Sequence, residues 1–243
     1  MNDTASRMHY YHADAYAFSG SLQNPFEKII PVQAPLTLPV TGGYAAARVE
    51  NFRFEEIFSF KSAYTQVAGA PSKKPNKNGA ADTLATAAIE GLNVRDILTV
   101  DRVVAQVATE HPAAGGPPKV SFLGTRFENL RINGRLISPD LDLELCAQEE
   151  GRPAKSCINN PAFLEKAGKR YDENNPSVLC SLIKEVAGKP GNVIHLPSFG
   201  KIYLAELIVD HNSYQLTMLR LELGCAIQGP MSGPGIKING KGG

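Results

Sequence analysis

The sequence predicts an all-β fold, a sandwich or barrel built from a duplicated β unit with a short helical insertion. Three observations carry that reading. The 22 glycines and 17 prolines are spread along the 243 residues rather than pooled, so turns recur throughout and few windows remain for an uninterrupted helix. Between the turns, short stretches alternate apolar and polar residues, as in 102–109, or concentrate β-branched and aromatic residues, as in 119–122 and 201–209. Third, ARVENFRFEEIFSFKSAYTQVA at 47–68 aligns without a gap on AAIEGLNVRDILTVDRVVAQVA at 87–108, with six identical positions and mostly conservative exchanges elsewhere.

Residues 8–22 carry Tyr10, Tyr11, Tyr16 and Phe18 in a strand-like arm ahead of the first proline-rich step. Each repeat copy reads as a strand, a polar corner at Glu55-Glu56 or Arg95-Asp96, and a second strand, and RFENLRI at 126–132 echoes the pattern of 48–54. Such a unit cannot bury its apolar face alone, so the copies are expected to pair or stack. The stretch 69–82 between them holds Lys73, Lys74 and Lys77 among Pro, Asn and Gly, the chemistry of an exposed loop.

Composition shifts after Leu145, where Asn160-Pro161 and Asn175-Pro176 each set an N-cap residue before a proline. Leu179, Leu182, Ile183 and Val186 share one face at helical spacing, with Gly188 and Pro190 as stop signals. The pattern predicts an amphipathic helix over 176–187 and a shorter one over 161–167. Both fall in an insertion, 147–190, within a single β domain spanning 1–243. Strands return at 201–223, where the apolar alternation changes phase at Met218-Leu219, the mark of a bulge or of a strand passing between sheets. The tail at 229–243, rich in Gly and Pro, is expected to be loosely held or used for contacts with other chains.

With 25 Lys and Arg against 24 Asp and Glu, the net charge of +1 supplies no basic field for nucleic acid. No apolar run approaches the roughly 18 residues that span a bilayer, and residues 1–22 show no basic start followed by an apolar block. The chain as written is therefore expected to be soluble and cytoplasmic, or at the cell surface if a signal has been trimmed. Cys146, Cys157, Cys180 and Cys225 lack the spacing of a zinc knuckle or redox pair and read as buried free thiols. A Cys146–Cys157 bridge, in an oxidising compartment, is the alternative.

His9 and His12 have chelating spacing but no nearby carboxylate or thiol to complete a shell, so they read as surface histidines. Asp210-His211 falls at an expected turn, where both are ordinary turn residues. Glu50, Glu90 and Glu128 recur at one repeat position, which favours an outward-facing polar position over a cation-binding cluster. The nucleophile-elbow, P-loop, zinc-protease and dinucleotide fingerprints are absent. No catalytic, cofactor-binding or metal-ligating residue is assigned, and no cofactor is expected.

AYAFSGSL at 15–22, PLTLPVTGG at 35–43, the doubled strand units, NLRINGRLI at 129–137, LPSFGKIYL at 196–204 and LTMLRLELG at 216–224 follow one another in an order that resembles bacterial choice-of-anchor P family proteins. The resemblance implies an all-β bacterial surface protein without established enzymatic activity. The leading expectation is a non-enzymatic structural or interaction protein that forms a homo-oligomer through strand edges or terminal arms. The alternative is a ligand-binding or hydrolytic β-barrel whose site is assembled from scattered residues.

Overall fold

The computed structural model describes residues 9–73, 79–147, 156–168, 177–211, 213–224 and 227–239. The first half holds β1 (His12–Tyr16), β2 (Phe18–Leu22), β3 (Lys28–Gln33), β4 (Leu36–Thr37), β5 (Gly43–Phe54), β6 (Phe58–Pro71), β7 (Ala81–Val94) and β8 (Leu98–His111). Short strands follow: β9 (Lys119–Ser121), β10 (Arg126–Glu128), β11 (Arg131–Ile132), β12 (Arg135–Leu136) and β13 (Asp140–Leu141). After a 3-10 turn (Cys157–Asn159) and helix α1 (Pro161–Lys166) come β14 (Ser177–Ser181), β15 (Ile183–Val186), β16 (Lys189–Pro190) and β17 (Val193–Leu196). The chain ends in β18 (Gly200–Asp210), β19 (Ser213–Leu223), β20 (Gly229–Ser232) and β21 (Gly235–Asn239). The protein is all-β, and its antiparallel sheets pack as a sandwich, none closing into a barrel.

One sheet is built on the two long hairpins β5–β6 and β7–β8, extended by β9, β10 and β11 on the far edge of β8. Each hairpin turns at the expected polar corner, with backbone bonds Ile57 N to Phe54 O and Ile97 N to Val94 O. Arg95 and Asp96 both take positive φ there, a mirror-image turn whose twist suits flanking strands. Pairing lapses between Asn51 and Lys61 and between Gly91 and Asp101, where Asn51 and Gly91 have φ of 53° and 64°. Asn129, at the matching place of the shorter echo, has φ 51°. The buried set changes parity across this crease, from Phe58 and Phe60 to Ala63, Thr65 and Val67 on β6, and from Ile89 to Leu92 on β7. Local bends of this kind re-aim alternate side chains and let one sheet wrap a core on two sides.

The second sheet has β18–β19 at its centre and its own crease. β19 pairs β21 over Ser213–Thr217 and β20 over Arg220–Leu223, while β1 and β2 continue β21 and β20, and β4 and β3 follow at the edge. The breaks align across the sheet at Leu182, Ala205, Met218, Gly233-Pro234, Ala17 and Ala34. Leu182 N bonds Ala205 O at 2.9 Å, Met218 N bonds Pro234 O at 3.0 Å, and Ala17 N bonds Gln33 O at 2.9 Å. Gly233 is required here, because a Cβ on it would lie 2.0 Å from the carbonyl oxygen of Ala17. The phase change read at Met218-Leu219 is this crease.

The inner faces of the two sheets form one core. Phe18 of β2 stacks on Phe58 of β6 at 3.7 Å between centroids, with Phe52 and Phe60 around them. Thr65 Oγ1 bonds Ala34 O at 2.8 Å, fastening the second sheet's crease to β6. Aromatic pairs of this geometry add roughly 0.5–1.5 kcal/mol beyond their buried area.

Two expectations are corrected, and a third element is placed. The segment 177–186 is not a helix but strands β14 and β15; Asn175-Pro176 lies outside the described residues. Ser177–Ser181 pairs Asp210–Glu206 and so satisfies the backbone edge of β18, which a helix would leave open. Ala187-Gly188, with φ of 52° and 74°, is the tight turn joining β15 to β16 rather than a helix stop. Within 147–190 the described helical residues are confined to the 3-10 turn and α1, whose Asn160 Oδ1 caps Ala162 N at 3.1 Å as the Asn-Pro signal predicts. Second, the tail is not loose: β20 and β21 lie inside the sheet, with Met231, Ile236 and Ile238 buried; residues 240–243 lie outside the described ones. Third, the N-terminal arm is strand-like as read, and β1 pairs within the chain, between β21 and β4.

Candidate functional site

Register along β5–β8 places alternate residues before the crease in rows across the outer face. One row runs Glu50, Ser62, Glu90, Arg102, Glu128. Ser62 Oγ donates to Glu90 Oε2 at 2.9 Å, and Arg102 lies 3.6 Å from Glu90. Arg126 and Arg48 meet Glu128 and Glu50 at 2.6 and 2.8 Å. The recurrent glutamates are thus outward-facing and interleaved with cations, which leaves no pooled negative charge to hold a metal. Arg102 Nη2 also donates to Tyr64 Oη at 2.7 Å, a bond that raises the guanidinium pKa.

Toward the open ends of the hairpins the next rows are made of small residues. Tyr44, Ala68, Leu84, Ala108 and Ser121 lie side by side, with Ala70 beyond them. Short side chains between the exposed Tyr44 ring and Leu84 leave an apolar groove of about 690 Å³, with Asp82, Glu110 and Lys119 at its end. The groove borders β5, whose far edge pairs with no strand among the described residues.

Beneath the same end, on the core side, lies a polar cluster. The ring of His9 stands 4.7 Å from His111 and 4.6 Å from Tyr11. Tyr11 in turn lies on the bare backbone of Gly69, where a Cβ would come within 2.5 Å of the ring. His111 is 4% exposed; its Nε2, Thr109 Oγ1 and Asp82 Oδ1 are buried without a hydrogen-bond partner among the described residues. Burial, reinforced by His9 and opposed by Asp82, pushes the His111 pKa down to about 4. Burial and the charge of His12 lower that of His9 as well.

His12 is at the surface as expected, but His9 is half-buried against a histidine that sequence spacing never associated with it. The signal for His111 was its parity: it follows Val103, Ala105, Val107 and Thr109 on the inward face of β8.

Asp210 and His211 meet at 2.8 Å on an exposed turn between β18 and β19. The outer face of the second sheet is ionically tiled too: Arg220 makes two bonds to Glu206 at 2.6 and 2.9 Å, another to Glu222 at 2.5 Å, and lies 3.5 Å over the Tyr203 ring. The Glu206 bonds come first among the causes that raise the Arg220 pKa. Lys73 is exposed in the loop after β6, and Lys74 and Lys77 lie outside the described residues. Cys146 and Cys157 are buried free thiols, and Cys180 is half-buried on β14; Cys225 lies outside the described residues. Among the described residues no group of three or more His, Cys, Asp or Glu side chains is arranged to hold a metal ion, and no helix is long and apolar enough to cross a membrane.

Residues 9–175 and 163–210 match the family DUF8256, described as a domain of unknown function, and the chain belongs to that family. Neither the curated proteins nor the solved structures include a match to the chain.

Proposed function

We propose that this member of the DUF8256 family is a non-enzymatic structural or interaction module that pairs with a second copy of itself through the edge of β5. The observation that carries the reading is an edge strand of twelve residues with an open outer side. Edge strands present rows of unpaired N–H and C=O groups, and monomers protect them with proline, bulges or covering elements. β3, at the edge of the other sheet, has such protection in Pro31, which cannot donate; β5 contains no proline.

The straight part of β5, 43–50, precedes the bend at Asn51 and supports antiparallel pairing centred on Ala47. In that register Ala46 of one copy lies opposite Arg48 of the other, and Tyr44 opposite Glu50, with outward residues meeting outward residues. Strands β1 and β21 already pair with each other within the chain, which favours the β5 edge over them as the contact element.

Charge exchange at Ala46 tests this reading, because the residue is exposed and its replacement leaves the monomer core untouched. In sedimentation equilibrium the full chain should be a dimer. Ala46→Arg should raise its dissociation constant roughly tenfold through Arg–Arg opposition, and Ala46→Glu should lower it. A monomeric full chain, or two variants that behave alike, would overturn the proposal. The groove beside Tyr44 supports a second reading, an apolar ligand bound on the sheet surface. Saturable binding of an apolar dye by a monomer, abolished by Leu84→Glu, would favour it.

A further inference from the structure

We propose that the corner where the hairpins β5–β6 and β7–β8 turn is a binding site for a small hydroxylated carboxylate of the acidic-sugar class, held by the guanidinium groups of Arg53 and Arg95. The repeat puts Glu55-Glu56 and Arg95-Asp96 at equivalent turns, and Glu55 and Arg95 share a left-handed backbone with φ of 52° and 53°. Arg95 N donates to Ile57 O at 2.9 Å, so the two turns stand side by side. Strand register sets Arg53 next to Ser59 and Ser59 next to Asn93. A cavity of about 680 Å³ is lined by this row and by both turns, a size that takes a small molecule. It lies past the bend at Asn51, clear of 43–50, and does not depend on pairing through β5.

Hydrogen-bond accounting leaves cationic donors over. Arg95 Nη1 is buried and has no hydrogen-bond partner among the described residues. Buried polar groups, charged ones above all, are normally paired, so an acceptor is missing at this place. The nearby acids are engaged elsewhere. Glu55 pairs with Lys28, and Asp96 Oδ1 accepts from Asn93 Nδ2 at 2.6 Å. Arg53 spends its Nε on Glu55 O at 2.9 Å, and its two Nη groups make no hydrogen bond among the described residues.

A ligand carboxylate supplies that acceptor, because its two oxygens match the planar fork of a guanidinium. The cavity also fixes the ligand's charge. Two guanidiniums stand among three carboxylates, of which Lys28 answers Glu55, so a single negative charge is tolerated while a dianion meets repulsion from Glu56 and Asp96. Those same carboxylates and the Ser59 hydroxyl accept hydrogen bonds, which suits hydroxyl groups next to the ligand's acid. A hexuronic acid joins both features in one small ring. Its binding is reversible ion pairing, with no bond made or broken.

The test is isothermal titration of the full chain with sodium glucuronate, glucose and sodium phosphate at neutral pH and one fixed ionic strength. Glucuronate should bind saturably, glucose should give no saturable heat, and phosphate should bind about tenfold more weakly than glucuronate or worse. Arg95→Gln and Arg53→Gln should each weaken glucuronate about tenfold by removing charge-assisted donors, with circular dichroism verifying the fold. Arg53 is exposed, so its replacement spares the core even if position 95 proves intolerant. Arg48→Gln, on the other side of the bend, should change the affinity less than about twofold. Absence of saturable glucuronate binding, saturable glucose binding, phosphate binding as tight as glucuronate, or an equal loss in Arg48→Gln would overturn the proposal.

Discussion

At the residue scale His111 is buried with its Nε2 lacking a hydrogen-bond partner among the described residues. It is neutral in the folded protein because burial disfavours the charged ring, and its folded pKa of about 4 lies below the ordinary histidine value of 6.5. Above pH 6.5 both folded and unfolded chains hold it neutral, and it contributes no pH dependence. Below that, the unfolded chain takes up a proton that the folded chain refuses, so stability falls as pH drops from about 6.5 to about 4 and then levels. The loss is on the order of 2 kcal/mol once partial solvent screening is allowed for. Thermal melts at pH 7.5 and 4.5 should show that difference, and His111→Gln should remove most of it while wild-type carboxylate effects remain. An equal pH response in the variant would locate the titration elsewhere.

At the scale of elements the creases decide what each strand buries. Leu182, wholly buried at the junction of β14 and β15, illustrates it: Leu182→Ala should cost about 2 to 4 kcal/mol in a denaturant titration. An unchanged midpoint would mean that the strand pair is peripheral. The same residue marks where sequence patterning ran out. Leu179, Leu182, Ile183 and Val186 fit a helical face, but they equally fit two short strands with a change of phase between them, and only the open backbone of β18 selects the second. Gly188 was ambiguous for the same reason, since a left-handed glycine serves both a helix end and a tight hairpin. By contrast, β6, β7, β8 and β19 were legible because each shows alternation over many residues, and even the phase change at Met218-Leu219 could be seen. The outward position of Glu50, Glu90 and Glu128 was legible from their shared place in the repeated pattern. The meeting of His9 with His111 was not, because it depends on the segment ahead of β1 packing against the end of β8.

At the scale of the whole molecule the central claim is that 12–22 and 229–239 are woven into one sheet while β5 is left open for a second copy. The arm and the tail, read from the sequence as elements that could contact other chains, pair with one another within the chain: β1 and β21 pair from His12 with Asn239 to Tyr16 with Gly235. Tethered pairing outcompetes exchange between chains at ordinary concentrations. Amide hydrogen exchange at two protein concentrations, one well below and one well above the dimer dissociation constant, tests both halves of the claim together. The account predicts that amides of β1 and β21 are protected equally at both concentrations, and that protection within 43–50 of β5 appears only at the higher one. Exchange of β5 that does not depend on concentration, or rapid exchange of β1 in the dilute sample, would contradict it.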